Sequence, residues 1–248
     1  MTSLIKQTRE VGTSAGVLLP RKWLNKQVVV TLLIPSIEEI AKEVIGILVG
    51  KNLNGEVKGI YLYGSYARGE NDADSDIDIL VITRKTNKLI NYMNYEILLV
   101  SEQDFSKNLS NSLNYLSILK EAKVIINEEL IEKYSYKNIK YGGNIISEIR
   151  KIMKINKDSV EMCIKNNRKI PDGVIYSIII RLRELYLIKC LNLNRVYSKK
   201  YFVDIVGEKN YIAYNRVKRN EKDLDEVSYD EAIKLLGLYE KWVKDLKE

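Results

Sequence analysis

The chain has 248 residues, 46% of them apolar and 29% charged, and its 40 basic and 33 acidic side chains give a net charge of +7 with no histidine at all. That is the balance of a folded globular protein with room for a large core, and no run reaches the roughly 18 apolar residues of a membrane helix; Met1 to Glu10 has no apolar signal core, so the expectation is a cytoplasmic protein with no membrane partner. Without histidine, the familiar zinc sets, serine or cysteine triads and histidine acid/base chemistry are excluded, which leaves carboxylates, lysine, hydroxyls or a hard metal ion, while Cys163 and Cys190 read as buried thiols of a reducing compartment.

The charge is unevenly placed. Residues 1–31 carry a net +4, residues 32–144 a net −3 and residues 145–248 a net +6. An acidic middle between basic flanks suits a carboxylate centre handling a polyanion held by its neighbours, and it equally suits a solvated lysine-rich surface.

In chain order, Val11 to Pro20 has a glycine-punctuated strand pattern and Lys26 to Leu33 a β-branched run, with one helical turn at Arg21 to Asn25 between them. From Ser36 the pattern is helical, with Ile37, Ile40, Ala41, Val44, Ile45 and Leu48 on one face. Strands follow at Gly59 to Tyr63, Asp76 to Ile82 and Tyr95 to Val100, then a helix from Asp104 to Lys120 and a last strand at Ala122 to Ile126. This order predicts an α/β (α+β) sheet domain. Gly142-Gly143 reads as a linker, and beyond it helices are expected from Ile145, over Val174 to Leu191 and over Tyr229 to Lys247. The expected division is a β hairpin over 1–34, a sheet domain over 35–142 and a helical domain over 143–248.

The chemistry concentrates between Tyr63 and Leu80. Asp76 and Asp78 are two apart at the head of an apolar run, so in a strand both leave the same face, on the order of 6 to 7 Å apart, and can share a cation. Close carboxylates in an apolar strand repel unless an oxygen-seeking ion such as Mg2+ lies between them, and Glu96 at the head of the next strand would supply a third ligand. Upstream, Gly64-Ser65 ends a strand and opens a short helix, where free amides and a hydroxyl form a phosphate cradle. Arg68, one turn on, adds a positive charge for a triphosphate tail. Singly, a Gly-Ser pair is usually a turn and an Asp-x-Asp a solvated strand end.

Together, Gly64-Ser65, ten intervening residues and Asp76-x-Asp78 reproduce the signature of the nucleotidyltransferase superfamily related to DNA polymerase beta. The run Gly-Ser-Tyr-Ala-Arg-Gly-Glu followed by Ser-Asp-Ile-Asp-Ile-Leu-Val resembles the minimal nucleotidyltransferases of archaea and bacteria over roughly residues 36–130. The resemblance implies a polymerase beta-type domain with a mixed sheet. It implies that Gly64 and Ser65 hold the β and γ phosphates of a nucleoside triphosphate, that Asp76 and Asp78 bind Mg2+, with two ions in the family chemistry, and that Glu96 stands where most relatives carry an aspartate that binds metal or orients the attacking hydroxyl.

The amino-terminal run Gly12 to Leu24, closed by Val28-Val29-Val30, resembles the swapped-hairpin modules of AbrB-like transcription factors. That implies a homodimer through the hairpin and basic residues, here Arg9, Arg21, Lys22 and Lys26, offered to DNA; the plainer alternative is a β appendage. In the other flank, Arg181 and Arg183 sit on an amphipathic helix, and Arg216, Lys218 and Arg219 beside Tyr214 form a dense basic stretch suited to DNA or RNA phosphates or to solvent. Seventeen tyrosines against two phenylalanines, with abundant lysine, isoleucine and asparagine, suggest an AT-rich, archaeal genome. The expected function is Mg2+-dependent transfer of a nucleoside monophosphate from a triphosphate such as ATP to a hydroxyl of a protein, an RNA end or a small molecule, releasing pyrophosphate. The alternative is a DNA-binding regulator or toxin-antitoxin component whose nucleotidyltransferase fold only senses nucleotide.

Overall fold

A computed structural model describes residues 4, 6, 8–30, 35–72, 75–135 and 143–246. They form two compact units, Met1–Ser36 and Ile37–Glu248. In the first, β1 (Arg9–Val11) pairs antiparallel with β2 (Ser14–Gly16) through a tight turn, and a 3-10 turn, Arg21–Trp23, follows Pro20. The strand expected over 26–33 does not form in its described part. Val28, Val29 and Val30 are exposed, Val29 at 93%, and β-branched side chains make a strand only where a partner strand receives them. Leu32 and Leu33 lie outside the described residues.

The second unit opens with α1 (Ile37–Gly50), which buries Ile40, Val44, Ile47 and Leu48 at helical spacing and carries Glu38 and Glu39 at its positive end. β3 (Val57–Tyr63), the short α2 (Gly64–Arg68) and β4 (Ile77–Thr83) follow. β5 (Lys88–Tyr92) and β6 (Tyr95–Ser101) then form a hairpin around Met93 and Asn94. After α3 (Glu102–Asn108) and α4 (Leu113–Glu121) comes β7 (Lys123–Ile126), and α5 (Glu128–Ser135) closes this part. The single helix expected over 104–120 starts earlier, at the Ser101 cap, and is broken by a 3-10 turn, Leu109–Asn111, after which Ser112 caps a new helix with its hydroxyl accepting from the Tyr115 amide.

The sheet runs β5-β6-β4-β3-β7. β4 and β6 are parallel and the other neighbours antiparallel, giving the mixed sheet expected. Alternate residues of the central strands feed two cores: Ile77, Ile79, Val81 and Ile97 pack with α1, whereas Tyr61, Leu80, Ile82 and Val100 pack with Phe105, Leu116 and Ile131 of α3, α4 and α5.

The remaining helices are α6 (Gly143–Lys165), α7 (Asp172–Asn192), α8 (Lys199–Val206), α9 (Glu208–Lys218) and α10 (Tyr229–Asp245). They surround α7, whose Ile175, Ile178, Leu182, Leu185 and Ile188 are buried, and Leu113 of α4 belongs to the same core. Gly143 begins α6, while Gly142 lies outside the described residues. No described helix is long and apolar enough to cross a membrane.

Candidate active site

The site grows from the register of three strands. Tyr63, the last residue of β3, lies opposite Asp78 of β4, and Asp78 lies beside Glu96 of the parallel β6. Neighbouring strands are about 4.8 Å apart, so Asp78 and Glu96 project side by side from one face. It is the face that carries Leu80 and Ile82 into the α3–α5 core, and so Asp78 stands at the rim of an apolar layer. Asp76 is exposed and precedes the first residue of β4, where the Ile77 amide donates to the Asn94 carbonyl at 2.7 Å.

β3 turns into α2 at Gly64, whose φ of +74° lies in the left-handed region. A Cβ there would overlap Asp78 Oδ2 and stand 2.9 Å from its Cγ. The turn therefore lays bare main chain against the carboxylate, as a side chain would not permit. Ser65 is half-buried just beyond it, and Gly69, at φ +69°, ends α2 with its amide on the Ser65 and Tyr66 carbonyls.

Burial, then Glu96 and Asp76, push the Asp78 carboxyl from its ordinary 3.8 up to about 7, against the opposing cations Lys218 and Arg68. Burial, with Asp78, Glu96 and Glu121 beside it, likewise raises the Tyr63 phenol. Negative charge is crowded here beyond what the surroundings neutralise. The donors are all carboxylate oxygens, the set that suits a hard divalent cation. Among the described residues no three acidic or cysteine side chains close into a metal-holding group; Ala73 and Asp74 of the motif loop lie outside those residues.

Arg68 departs from the sequence expectation of an open cation for a triphosphate. Its Nη1 donates to Glu121 at 2.7 Å and its Nε to Glu70 at 3.0 Å, and its guanidinium lies 5.2 Å from the centre of the Tyr197 ring. Glu121 Oε1 also accepts the Gly64 amide at 3.1 Å. Glu70 in turn accepts from the Ser198 hydroxyl and the Lys199 amide at the start of α8, contacts that with Arg68 hold its carboxyl below the usual range despite burial. Lys199 Nζ pairs with Asp72. Glu70 closes the Gly-Ser-Tyr-Ala-Arg-Gly-Glu run, but nothing in the sequence marks Glu121, Tyr197 or Lys199. Glu121 enters because α4 ends just before β7, which pairs with β3, and only that long-range pairing brings it to Gly64.

The basic residues of the flanks divide. Arg216 is 8% exposed and forks onto Asp172, which is fully buried, so the expectation of a nucleic-acid contact gives way to an internal ion pair. Arg183 is exposed, with its guanidinium 5.4 Å from the centre of the Tyr197 ring, and Arg181 pairs with Glu184. Lys218 is exposed and its charge bears on Asp78; Arg219 is exposed beside Glu221. Arg21, Lys22 and Lys26 are exposed in the amino-terminal unit.

Comparison with known proteins adds three findings. Residues 41–185 match the family described as Nucleotidyltransferase domain. A protein of Methanocaldococcus jannaschii named "Putative protein adenylyltransferase" is 35% identical over 98 residues, which is 36% of this chain and 96% of that protein. A crystal structure of a nucleotidyltransferase-like protein from Exiguobacterium sibiricum aligns with 83% of this chain and 75% of its own, at a TM-score of 0.36 and 15% identity.

Proposed function

The chain belongs to the nucleotidyltransferase domain family, and from that premise we propose that it transfers AMP from ATP to a hydroxyl group of a protein, using Mg2+ held by Asp76, Asp78 and Glu96. Transfer of a nucleotide is the family's chemistry; ATP and a protein acceptor are favoured by the name of the archaeal relative. The observation that carries the assignment of residues is the contact of bare Gly64 main chain with Asp78, itself in register with Glu96. A phosphate chain lying along the Gly64–Ser65 turn then has its α phosphorus beside the carboxylates. The acceptor oxygen forms a bond to that phosphorus, the bond to the bridging oxygen of the β phosphate breaks, and pyrophosphate leaves. The acceptor's proton passes to Glu96 or to water. Bound Mg2+ supplies charge neutralisation at the phosphoryl oxygens. This chain's own part is to fix geometry and to exclude water on the apolar side of Asp78.

We further propose a division into the hairpin 1–34, the catalytic part 35–142 and the helical part 143–248. The exposure of Leu18, Leu24, Val29 and Val30 supports self-association through the hairpin, and deleting residues 1–34 would then leave a monomer. The activity is tested with ATP labelled at the α phosphorus, Mg2+ and a cell extract as acceptor pool. Label on protein bands, pyrophosphate release and loss of both in Asp78→Asn are expected. Label that migrates with RNA would move the acceptor to a nucleic acid, and release of pyrophosphate under no condition would refute the assignment.

A further inference from the structure

Arg68 sits within a continuous chain of contacts that reaches both the Gly64 turn and the helical region. On one side Glu121 bridges it to the Gly64 amide, taking the two donors on separate oxygens at 2.7 and 3.1 Å. On the other side Glu70 receives Arg68 Nε on Oε2 at 3.0 Å, the Ser198 hydroxyl on Oε1 at 2.8 Å and the Lys199 amide on both oxygens. The guanidinium also packs on Tyr197, the residue before Ser198, whose ring Arg183 of α7 approaches at 5.4 Å. The side chains of Arg68 and Glu121 are only 11% and 4% exposed. Charge points the same way. The Arg68 guanidinium is already engaged by two carboxylates and a ring face, so it is not an open cation held out for a polyphosphate.

We propose that Arg68 is a positioning residue and not a triphosphate ligand: through Glu121 it fixes the Gly64 turn against Asp78, and through Glu70 it seats the start of α8, so that the catalytic end of the sheet and the helical region are held as one. Three separated targets, two carboxylates and a ring face, need a planar fork, and a lysine ammonium on a flexible stem cannot serve all of them. A phosphate ligand, by contrast, tolerates a point charge well. The kinetic part of this inference rests on the proposed transfer reaction; the structural part does not.

The test uses the full chain with Arg68→Lys, Glu121→Gln and Glu70→Gln. Hydrogen exchange by mass spectrometry is expected to rise in the peptide covering Gly64–Glu70 and, together with it, in the peptide covering Tyr197–Val203 for Arg68→Lys. Affinity for the α,β-methylene analogue of ATP should stay within threefold, while kcat falls tenfold or more at little-changed KM. A tenfold loss of analogue affinity with exchange unaltered would overturn the proposal in favour of a phosphate ligand. So would a loosened Gly64 turn with the α8 peptide unchanged, or Arg68→Lys retaining full turnover. Should Arg68→Lys fail to fold, Glu70→Gln carries the same comparison at a partly exposed carboxylate, and unchanged exchange in both peptides refutes the coupling. A wild-type chain without turnover would defeat the reaction proposed above and leave the exchange result to judge Arg68.

Discussion

Gly64→Ala perturbs the turn where main chain meets carboxylate, and its cost follows from two separate effects. The left-handed φ of +74° charges any L side chain about 1–2 kcal/mol. The new methyl would also overlap Asp78 Oδ2 and stand 2.9 Å from Cγ and 3.2 Å from Cβ, so the carboxylate must retreat by about an ångström, leaving its rotamer at about 0.5–1.5 kcal/mol more. The sum is about 1.5–3.5 kcal/mol of stability. Turnover should suffer more than stability does, because a displacement of about 1 Å in a reacting group is worth about 100-fold in rate. Gly69→Ala is the internal control. Its φ of +69° is similar, yet a Cβ there meets nothing within 4 Å, so it should lose about 1–2 kcal/mol and keep most of its turnover. Urea unfolding gives the stabilities and pyrophosphate release the rates. Equal losses of rate in the two variants, or a Gly64→Ala enzyme within threefold of wild type, would refute the reading of Gly64 as a close-approach residue.

Other substitutions probe the charges. The unfolded chain gives up the Asp78 proton near pH 4, while the folded chain holds it to about pH 7, so without metal this group makes stability fall as pH rises through that interval; Asp78→Asn should flatten the fall, read from urea midpoints across the range. Protons and Mg2+ compete for the same oxygens, so Mg2+ should raise the thermal midpoint above pH 7 and have little effect near pH 5, with no effect in Asp78→Asn, and a chelator should abolish turnover. In the helical region, Asp172→Ala takes from the buried Arg216 guanidinium its close partner, leaving Glu226 at 3.8 Å, and from the Leu224 amide its acceptor, a loss of about 3–5 kcal/mol by denaturant unfolding, whereas replacing Asp172 and Arg216 together by leucine and methionine should lose much less.

What could be read from the sequence is what lies close along it. Gly64, Asp76 and Asp78 belong to one strand-turn-strand stretch, where a period of two and a glycine suffice to put them together. Glu96 follows because the next buried apolar run becomes the strand paired with Asp78. β5 carries little sequence signal because it is an edge strand with only Ile90 buried, and the β propensity of Val28 to Val30 yields no strand because these side chains are exposed with no described strand beside them. Arg216 looked solvated because its basic neighbours Lys218 and Arg219 are; its partner Asp172 sits 44 positions earlier, at the first turn of α7, and no local pattern announces that pairing.

The same distinction bears on what holds the site together. The acidic cluster is a local liability: burial and like charge disfavour an ionised Asp78, so the folded chain carries a strain that a bound cation would relieve. Left to itself, such a cluster would push its strands apart or protonate. The contacts that oppose this are non-local. Glu121 arrives on the helix before β7, Glu70 is gripped by the start of α8, and Lys218 approaches from the end of α9. The helical region thus bears directly on the acidic end of the sheet, because Lys218 opposes the charge around Asp78 and Ser198 with the Lys199 amide seats Glu70. A chain cut after β7 would keep the Gly64 and Asp78 motif but lose Ser198, Lys199 and Lys218, and with them the restraint under which crowded carboxylates stay ready for a metal and a phosphate chain.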